Sequence, residues 1–308
     1  MRLVALAGGT GAAKLLRGLD ALLEPGALEV IGNTGDDVTI WGLHVSPDLD
    51  TVCYALGGHL DEGRGWGLRD ESFRTLGEMV RFGEATWFNL GDRDLATHVH
   101  RTRLLRDGLT LTQVTAKIAA DLGVRHAVLP MSDQPVSTRV LGPDGWLGFQ
   151  EYFVREKTQV EVLEVDYAGA AAAEPAPGAL AAIARADAVI VCPSNPVTSI
   201  GPILAVPGVA DALRTTAAPV LGVSPIIGGE AVSGPAGRLM ATRGLEVSSA
   251  GVAAAYAPWL DALLLDEADA GLASRLEDTG VRPIVAPTLM RSREQEIALA
   301  RRVLAALG

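Results

Sequence analysis

Six clusters of chemistry-bearing residues stand out in this 308-residue chain, most of them just behind a short apolar run. The first is Gly8-Gly9-Thr10-Gly11-Ala12-Ala13-Lys14, where glycines let the backbone approach a phosphate and the following helix offers its N-terminal amides. It lacks the GxxxxGK[ST] spacing of a Walker A loop, and Lys14 stands where a GxGxxG fingerprint would carry its third glycine. A nucleotide or phosphate site is therefore favoured over a dinucleotide site. Asn33-Thr34-Gly35-Asp36-Asp37 comes next, with adjacent carboxylates that suit either a ribose hydroxyl or Mg²⁺ over a phosphate; a plain Asx turn competes. Asp48 and Asp50 precede Thr51, near which a helix is expected to begin, so capping is their ordinary explanation. Gly91-Asp92-Arg93-Asp94 leads to His98; His98 and His100 are two apart, which is not metal-ligand spacing on a helix. Ser194-Asn195-Pro196 and Ser224-Pro225-Ile226-Ile227-Gly228-Gly229 supply hydroxyl, amide and backbone donors suited to a purine or phosphate edge. No Gly-x-Ser-x-Gly elbow or other nucleophile motif is present.

What must position these loops is a set of short strands. Leu3–Leu6, Leu28–Ile31, Ala127–Leu129, Ala188–Val191, Val220–Val223, Leu263–Leu265 and Ile284–Val285 are apolar and separated by helical lengths. That pattern predicts an α/β fold with a mostly parallel sheet covered by helices on both faces, as one domain over residues 1–308. Ligands bind such sheets outside the carboxyl ends of the strands, where Gly8–Lys14, Asn33–Asp37, Ser194–Pro196 and Ser224–Gly229 fall. Residues 56–122 are richer in charge and lack strand signals, which predicts a helical side wall or lid. Residues 138–166 alternate apolar and polar around Pro143-Asp144-Gly145, which predicts a hairpin or small antiparallel meander.

Composition narrows the partners. A net charge of −11 argues against nucleic acid, whose phosphates need a basic surface. The longest uncharged stretch, 188–210, is broken by Pro193, Pro196, Pro202 and Pro207, so no membrane span is expected. The N-terminus opens on a strand-like run without a cleavage site, and Cys53 and Cys192 read as small buried hydrophobes. A cytoplasmic enzyme is the expectation.

Taken together, Gly8-Gly9-Thr10-Gly11, Ser46-Pro47-Asp48-Leu49-Asp50-Thr51, Gly91-Asp92-Arg93-Asp94-Leu95-Ala96-Thr97-His98, Ser194-Asn195-Pro196 through Gly201-Pro202, and Ser224 to Gly228 resemble the 2-phospho-L-lactate transferase family (CofD/FbiA) of coenzyme F420 biosynthesis. The resemblance implies a Rossmann-like fold, Mg²⁺ dependence and a homodimer. It implies that the ribityl hydroxyl of the deazaflavin Fo attacks a guanosine diphospho-ester of lactate or enolpyruvate, releasing GMP. On that basis Asp50, Asp36 and Arg93 are the expected catalytic residues, and Asp36, Asp37 and Asp50 the expected metal ligands. Asp50, Phe88, Asn89 and Asp92 are expected at Fo. Gly9, Thr10, Gly11, Lys14, Ser194, Asn195, Ser224 and Gly228 are expected at the nucleotide and its phosphates. Position 89 is Asn where archaeal relatives carry a basic residue, so Phe88 is expected to stack on the ring. Rival readings are a nucleotide-sugar-binding regulator, discriminated by failure to bind Fo, and an NAD(P)-dependent oxidoreductase, discriminated by stabilisation with NAD.

Overall fold

Strand β1 (Leu3–Ala7) is buried throughout, and its alternate side chains enter two different cores. The computed structural model describes residues 1–307. After β1 the chain runs through α1 (Gly9–Asp20), β2 (Leu28–Gly32), the hairpin β3 (Val38–Ile40) and β4 (Leu43–Val45), α2 (Pro47–Leu56), α3 (Arg74–Arg81), α4 (Asp92–Arg106) and α5 (Leu111–Asp121). It continues through β5 (Ala127–Pro130), β6 (Ser137–Gly142), β7 (Gly145–Gly148), a π-turn at Glu151–Arg155, β8 (Glu164–Ala168), α6 (Ala179–Arg185) and β9 (Ala188–Val191). A second π-turn, Pro196–Ile200, leads into α7 (Gly201–Ala205), α8 (Val209–Thr215), β10 (Val220–Val223) and the short pair β11 (Ile226–Ile227) and β12 (Glu230–Ala231). The chain closes with α9 (Ala236–Thr242), α10 (Ser249–Tyr256), β13 (Ala262–Leu265), α11 (Ala273–Glu277), β14 (Arg282–Val285) and α12 (Arg293–Leu307).

Seven of these strands form one parallel sheet in the order β14-β13-β10-β9-β1-β2-β5. The chain builds outward from β1 to β2 and β5, then returns to lay β9, β10, β13 and β14 on the other side. The direction of build therefore reverses between β1 and β9, the place where open α/β sheets leave a crevice. On one face Val4, Leu6, Ile31, Val189 and Val191 pack against the helices of the second half. On the other, Leu3, Ala5, Val30 and Ile190 pack under α1, α2 and α12 through Leu15, Leu49 and Leu299. Burial on both faces is why the strands read as continuous apolar runs rather than alternating ones.

Residues 56–122 contain α3, α4, α5 and a long connection, while 138–166 contain the antiparallel set β7-β6-β8 and the first π-turn. Trp41 and Gly42, both with positive φ, turn β3 into β4, as two-residue hairpin loops require. Helix α2 begins at Pro47 rather than near Thr51, because proline at the first helical position needs no hydrogen-bonded N–H. Asp48 and Asp50 consequently sit inside the first turn. Among the described residues no single helix is long and apolar enough to cross a membrane.

Candidate active site

A cavity of about 630 Å³ opens at the reversal of strand order, a size suited to a small-molecule site. The loop after β1 forms its floor. Gly9 takes a positive φ, and a Cβ on Gly11 would overlap the carbonyl oxygen of Pro193 in the loop after β9. A Cβ on Gly8 would lie 2.6 Å from Asp48 Oδ2 and 2.7 Å from Ser199 Cβ. These glycines let the two loops close on each other. Gly11 does the close-packing work of a fingerprint's third glycine, so the Lys14 side chain is free to reach the Met290 carbonyl oxygen at 3.1 Å.

Two carboxylates stand over this floor. Asp48 accepts from the Gly9 N–H and from Asn33 Nδ2, each at 2.8 Å, and burial nevertheless pushes its carboxyl up to about 6. Asp36 is buried beside it; burial first, then the Asp48 charge, hold its carboxyl well above the ordinary range. Asp36 Oδ1 is buried and accepts no hydrogen bond. Two acids raised by burial, one of them with an oxygen that accepts no hydrogen bond, form a natural seat for a cation.

A third acid is held quite differently. Asp50 receives both terminal nitrogens of Arg101, Nη1 to Oδ2 at 3.0 Å and Nη2 to Oδ1, and both side chains are almost fully buried. Arg101 Nη1 also lies 3.3 Å from His98 Nδ1. A guanidinium can only donate, so Nδ1 is the acceptor and the imidazole proton sits on Nε2, 3.2 Å from Asp94 Oδ1. Tyr54 donates its hydroxyl to the same Asp94 oxygen at 2.6 Å. Although burial opposes it, these partners draw the Asp94 carboxyl below its usual range. The result is one connected buried network: a paired Asp50 facing the cavity, braced from behind by α4.

The remaining walls come from the two π-turns. Phe149, Gln150, Phe153 and Val154 line the cavity from the first, and Asn195, Thr198 and Ser199 from the second. Wide turns of this kind present side chains that a regular helix would hide, which is why they gather at functional sites. Phe149 and Phe153 stack with centroids 5.6 Å apart and an interplanar angle of 4°. Behind β10, Ser249 Oγ donates to Ser224 Oγ at 2.9 Å and Gly228 N–H donates to Asp269 Oδ1 at 3.0 Å, which fixes the loop that carries Pro225 and Ile227.

The family model of 2-phospho-L-lactate transferase CofD matches residues 3–301. The chain belongs to that family. It is 45% identical over 310 residues to a phosphoenolpyruvate transferase of Streptomyces griseus, covering 99% of this chain and 98% of that one. It is 42% identical over 301 residues to a 2-phospho-L-lactate transferase of Methanosarcina barkeri, covering 98% and 97%. The crystal structure of a UPF0052-family protein from Bacillus halodurans shares the fold, with a TM-score of 0.65 at 17% identity over 98% of each chain. This is a CofD-type transferase of coenzyme F420 biosynthesis.

In this CofD chain the cavity gathers Gly9, Thr10, Gly11, Lys14, Asp36, Asp50, Phe88, Asn89, Ser194, Asn195 and Ser224 from the residues singled out in the sequence. Four others point elsewhere. Asp37 turns away under the β3–β4 hairpin, accepting from Ser46 Oγ at 2.5 Å and facing His44 Nε2 at 2.8 Å, because neighbouring side chains diverge. Asp92 is half-exposed outside the cavity; it accepts from Ser72 Oγ and from the N–H groups of Arg74 and Thr75, anchoring the start of α3, whose residues are all at least partly exposed. Arg93 is exposed and donates to the Arg69 carbonyl oxygen. Gly228 is tied to Asp269 behind the wall.

The sequence reading placed Asn33, Asp94 and His98 in its motifs without giving them a role, passed over Tyr54, Arg101 and the Phe149–Phe153 pair, and treated Asp48 as a cap. One signal was available: Asp94, His98 and Arg101 lie at i, i+4 and i+7, a single polar stripe on α4 that the structure buries.

Proposed function

We propose that this protein transfers a phosphoenolpyruvyl or 2-phospholactyl group from its guanosine diphospho-ester to the terminal ribityl hydroxyl of the deazaflavin Fo, with Mg²⁺. The hydroxyl oxygen forms a bond to the phosphorus that bears the organic acid, the bridging P–O bond breaks, and GMP leaves with the bridging oxygen. The hydroxyl proton passes to a carboxylate or to water. The observation that carries this reading is the meeting, in one cavity, of the glycine loop with the Asp36–Asp48 pair on one side and the Arg101-braced Asp50 on the other.

Each group has a part in such a transfer. The N–H groups of the first turn of α1 and the Lys14 ammonium favour phosphate at the floor. Asp50 is held in place by two hydrogen bonds from Arg101, which suits it to accept a hydrogen bond from a substrate hydroxyl and align it. Phe88, Phe149 and Phe153 offer flat apolar surface to a tricyclic ring. Among the described residues neither cysteine is placed as a covalent nucleophile: both are buried, and burial pushes the Cys53 thiol up to about 12. In-line phosphoryl-type transfer needs positioning and charge neutralisation, not a nucleophile.

Mg²⁺ fits the residues present. Among the described residues no three acidic, histidine or cysteine side chains make a complete metal cage. Mg²⁺ is commonly held by one or two carboxylates plus substrate phosphates, and Asp36 and Asp48 supply that pair, with Asp36 Oδ1 unused. When bound, it would supply charge neutralisation at the phosphoryl oxygens.

The test is incubation of the purified protein with Fo, Mg²⁺, GTP, a guanylyltransferase and, in parallel, phosphoenolpyruvate or 2-phospholactate. Mass spectrometry then looks for the Fo phosphodiester. Product in one channel names the donor. Absence of product in both, with the guanylyl donor shown to be present, refutes the reading.

A further inference from the structure

Three stretches that line one end of the cavity meet a second time behind it. Helix α1 supplies Thr10 and Lys14 to the cavity; the Asp61–Leu68 loop supplies Arg64 and Trp66; the segment leading into α12 supplies Thr288 and Met290. Behind them stands Arg17, one turn beyond Lys14 on α1. Its Nη1 pairs with Glu62 Oε1 at 2.6 Å and its Nη2 with Glu296 on α12, whose other oxygen faces Arg293 Nη1 at 3.2 Å. The Arg17 and Glu296 side chains are only 8% and 2% exposed, whereas Glu62 is 58% exposed. Burying such a pair is expensive, and α1 and α12 already share an apolar contact through Leu15, Leu16, Leu299 and Val303. Helix packing alone therefore gives no reason for the cluster. What the fork does, beyond packing, is tie the Asp61–Leu68 loop to the two other walls.

That loop puts the Arg64 cation on the cavity wall, its Nη2 paired with Asp61 Oδ2 at 2.8 Å. The Arg64 guanidinium lies over the Trp66 ring at 5.1 Å and the Phe73 ring at 5.3 Å. Its Nε donates to Asp61 Oδ2 at 2.9 Å and its Nη2 to the Leu68 carbonyl oxygen at 3.0 Å, while Nη1 donates to no described residue. Gly65, beside it, brings the loop against Thr10 of the phosphate-binding turn, where a Cβ would lie 3.5 Å from Thr10 Cγ2. Of all the residues lining the cavity, Lys14 and Arg64 are the only lysine or arginine. Both belong to stretches that the Arg17 fork joins.

We infer that Arg64 is a second phosphate-binding cation, acting with Lys14 on the diphosphate of the nucleotide donor, and that Arg17 is a positioning residue that sets the separation of the two. Arg17 touches no substrate; it holds Glu62, and with it the Arg64 loop, at a fixed distance from α1. The inference rests on the donor being a guanosine diphospho-ester.

The test titrates GDP and, separately, Fo into the wild type, Arg64→Gln and Glu62→Ala, with a thermal melt of each. Glu62 is exposed, so its truncation leaves the fold intact. Arg64→Gln is expected to weaken GDP roughly tenfold, and Glu62→Ala about three- to tenfold. Both variants are expected to keep Fo affinity within about twofold of wild type, and Glu62→Ala to keep its melting temperature. A purely structural role would lower the melting temperature and both affinities together, and that result overturns the inference. GDP affinity unchanged in either variant, in a wild type that binds GDP and carries out transfer, overturns it while leaving the proposed function standing. A wild type that neither binds GDP nor transfers overturns both.

Discussion

Replacing Arg101 by Met tests the buried brace of the site. The Asp50 and Arg101 side chains are 6% and 2% exposed and joined by two hydrogen bonds, so the substitution leaves a buried carboxylate without its hydrogen-bond donors and with only His98 Nδ1, 3.7 Å away, beside it. Breaking a buried pair on one side costs about 3–5 kcal/mol, a large share of the roughly 5–15 kcal/mol that holds a domain folded. Asp50→Asn with Arg101→Met removes both charges, so the double variant is expected to be less destabilised than the sum of the two single ones by at least about 1 kcal/mol. Urea unfolding at pH 7.5, followed by tryptophan fluorescence, reads all four corners of the cycle. Transfer should fall by at least about a hundredfold in Arg101→Met, which releases the Asp50 carboxylate from its alignment, and in Asp50→Asn, which neutralises it. Arg101→Met unfolding within about 1 kcal/mol of wild type, with transfer near wild type, would refute the assignment of Asp50 as a held anion.

Three further outcomes follow from the same geometry. Folding raises the Asp48 carboxyl from 3.8 to about 6, so its contribution to stability is fully present below about pH 4 and lost as pH rises through about 6. Asp48→Asn should therefore melt higher than wild type at pH 7.5 in metal-free buffer, by at most about 3 kcal/mol, with the difference closing towards pH 4; a pH-independent difference would contradict it. Mg²⁺ should raise the melting temperature of the wild type and do so markedly less in Asp36→Asn, read by differential scanning fluorimetry with Ca²⁺-free controls. Gly11→Ala, whose new methyl meets the Pro193 carbonyl oxygen, should destabilise by roughly 1–3 kcal/mol in urea; an unchanged midpoint would show that the two loops are free to part.

The strands and the loops that follow them were legible because a sheet buried on both faces leaves uninterrupted apolar runs. The glycine loop and Asp50 were legible by type and position. Which carboxylates face the cavity was not. Asp36 and Asp37 are adjacent yet diverge, and only the fold of the β3–β4 hairpin decides which one turns inward. Asp50 and Arg101 are 51 residues apart, and no local pattern announces their pairing. Asp92 and Arg93 lie outside the cavity for the opposite reason: a dense charge run at a helix start is conspicuous in sequence, but here Asp92 anchors α3 and Arg93 is exposed. Phe149 and Phe153 lie in and beside a π-turn, whose width follows neither the period of a strand nor that of an α-helix.

The anchoring of α3 has a consequence for how the chain would meet a protease. None of its eight residues is buried, Arg74 and Arg81 are exposed at its ends, and Phe82 after it is 77% exposed, so trypsin should nick the folded protein there first. The cut would fall between α2 and α4 and separate Asp50 from Arg101 in covalent sequence. The amino-terminal piece would carry β1 and β2, which lie between β9 and β5 of the other piece. The two fragments should therefore migrate as one species until denatured, with the Asp50–Arg101 pair bridging the nick.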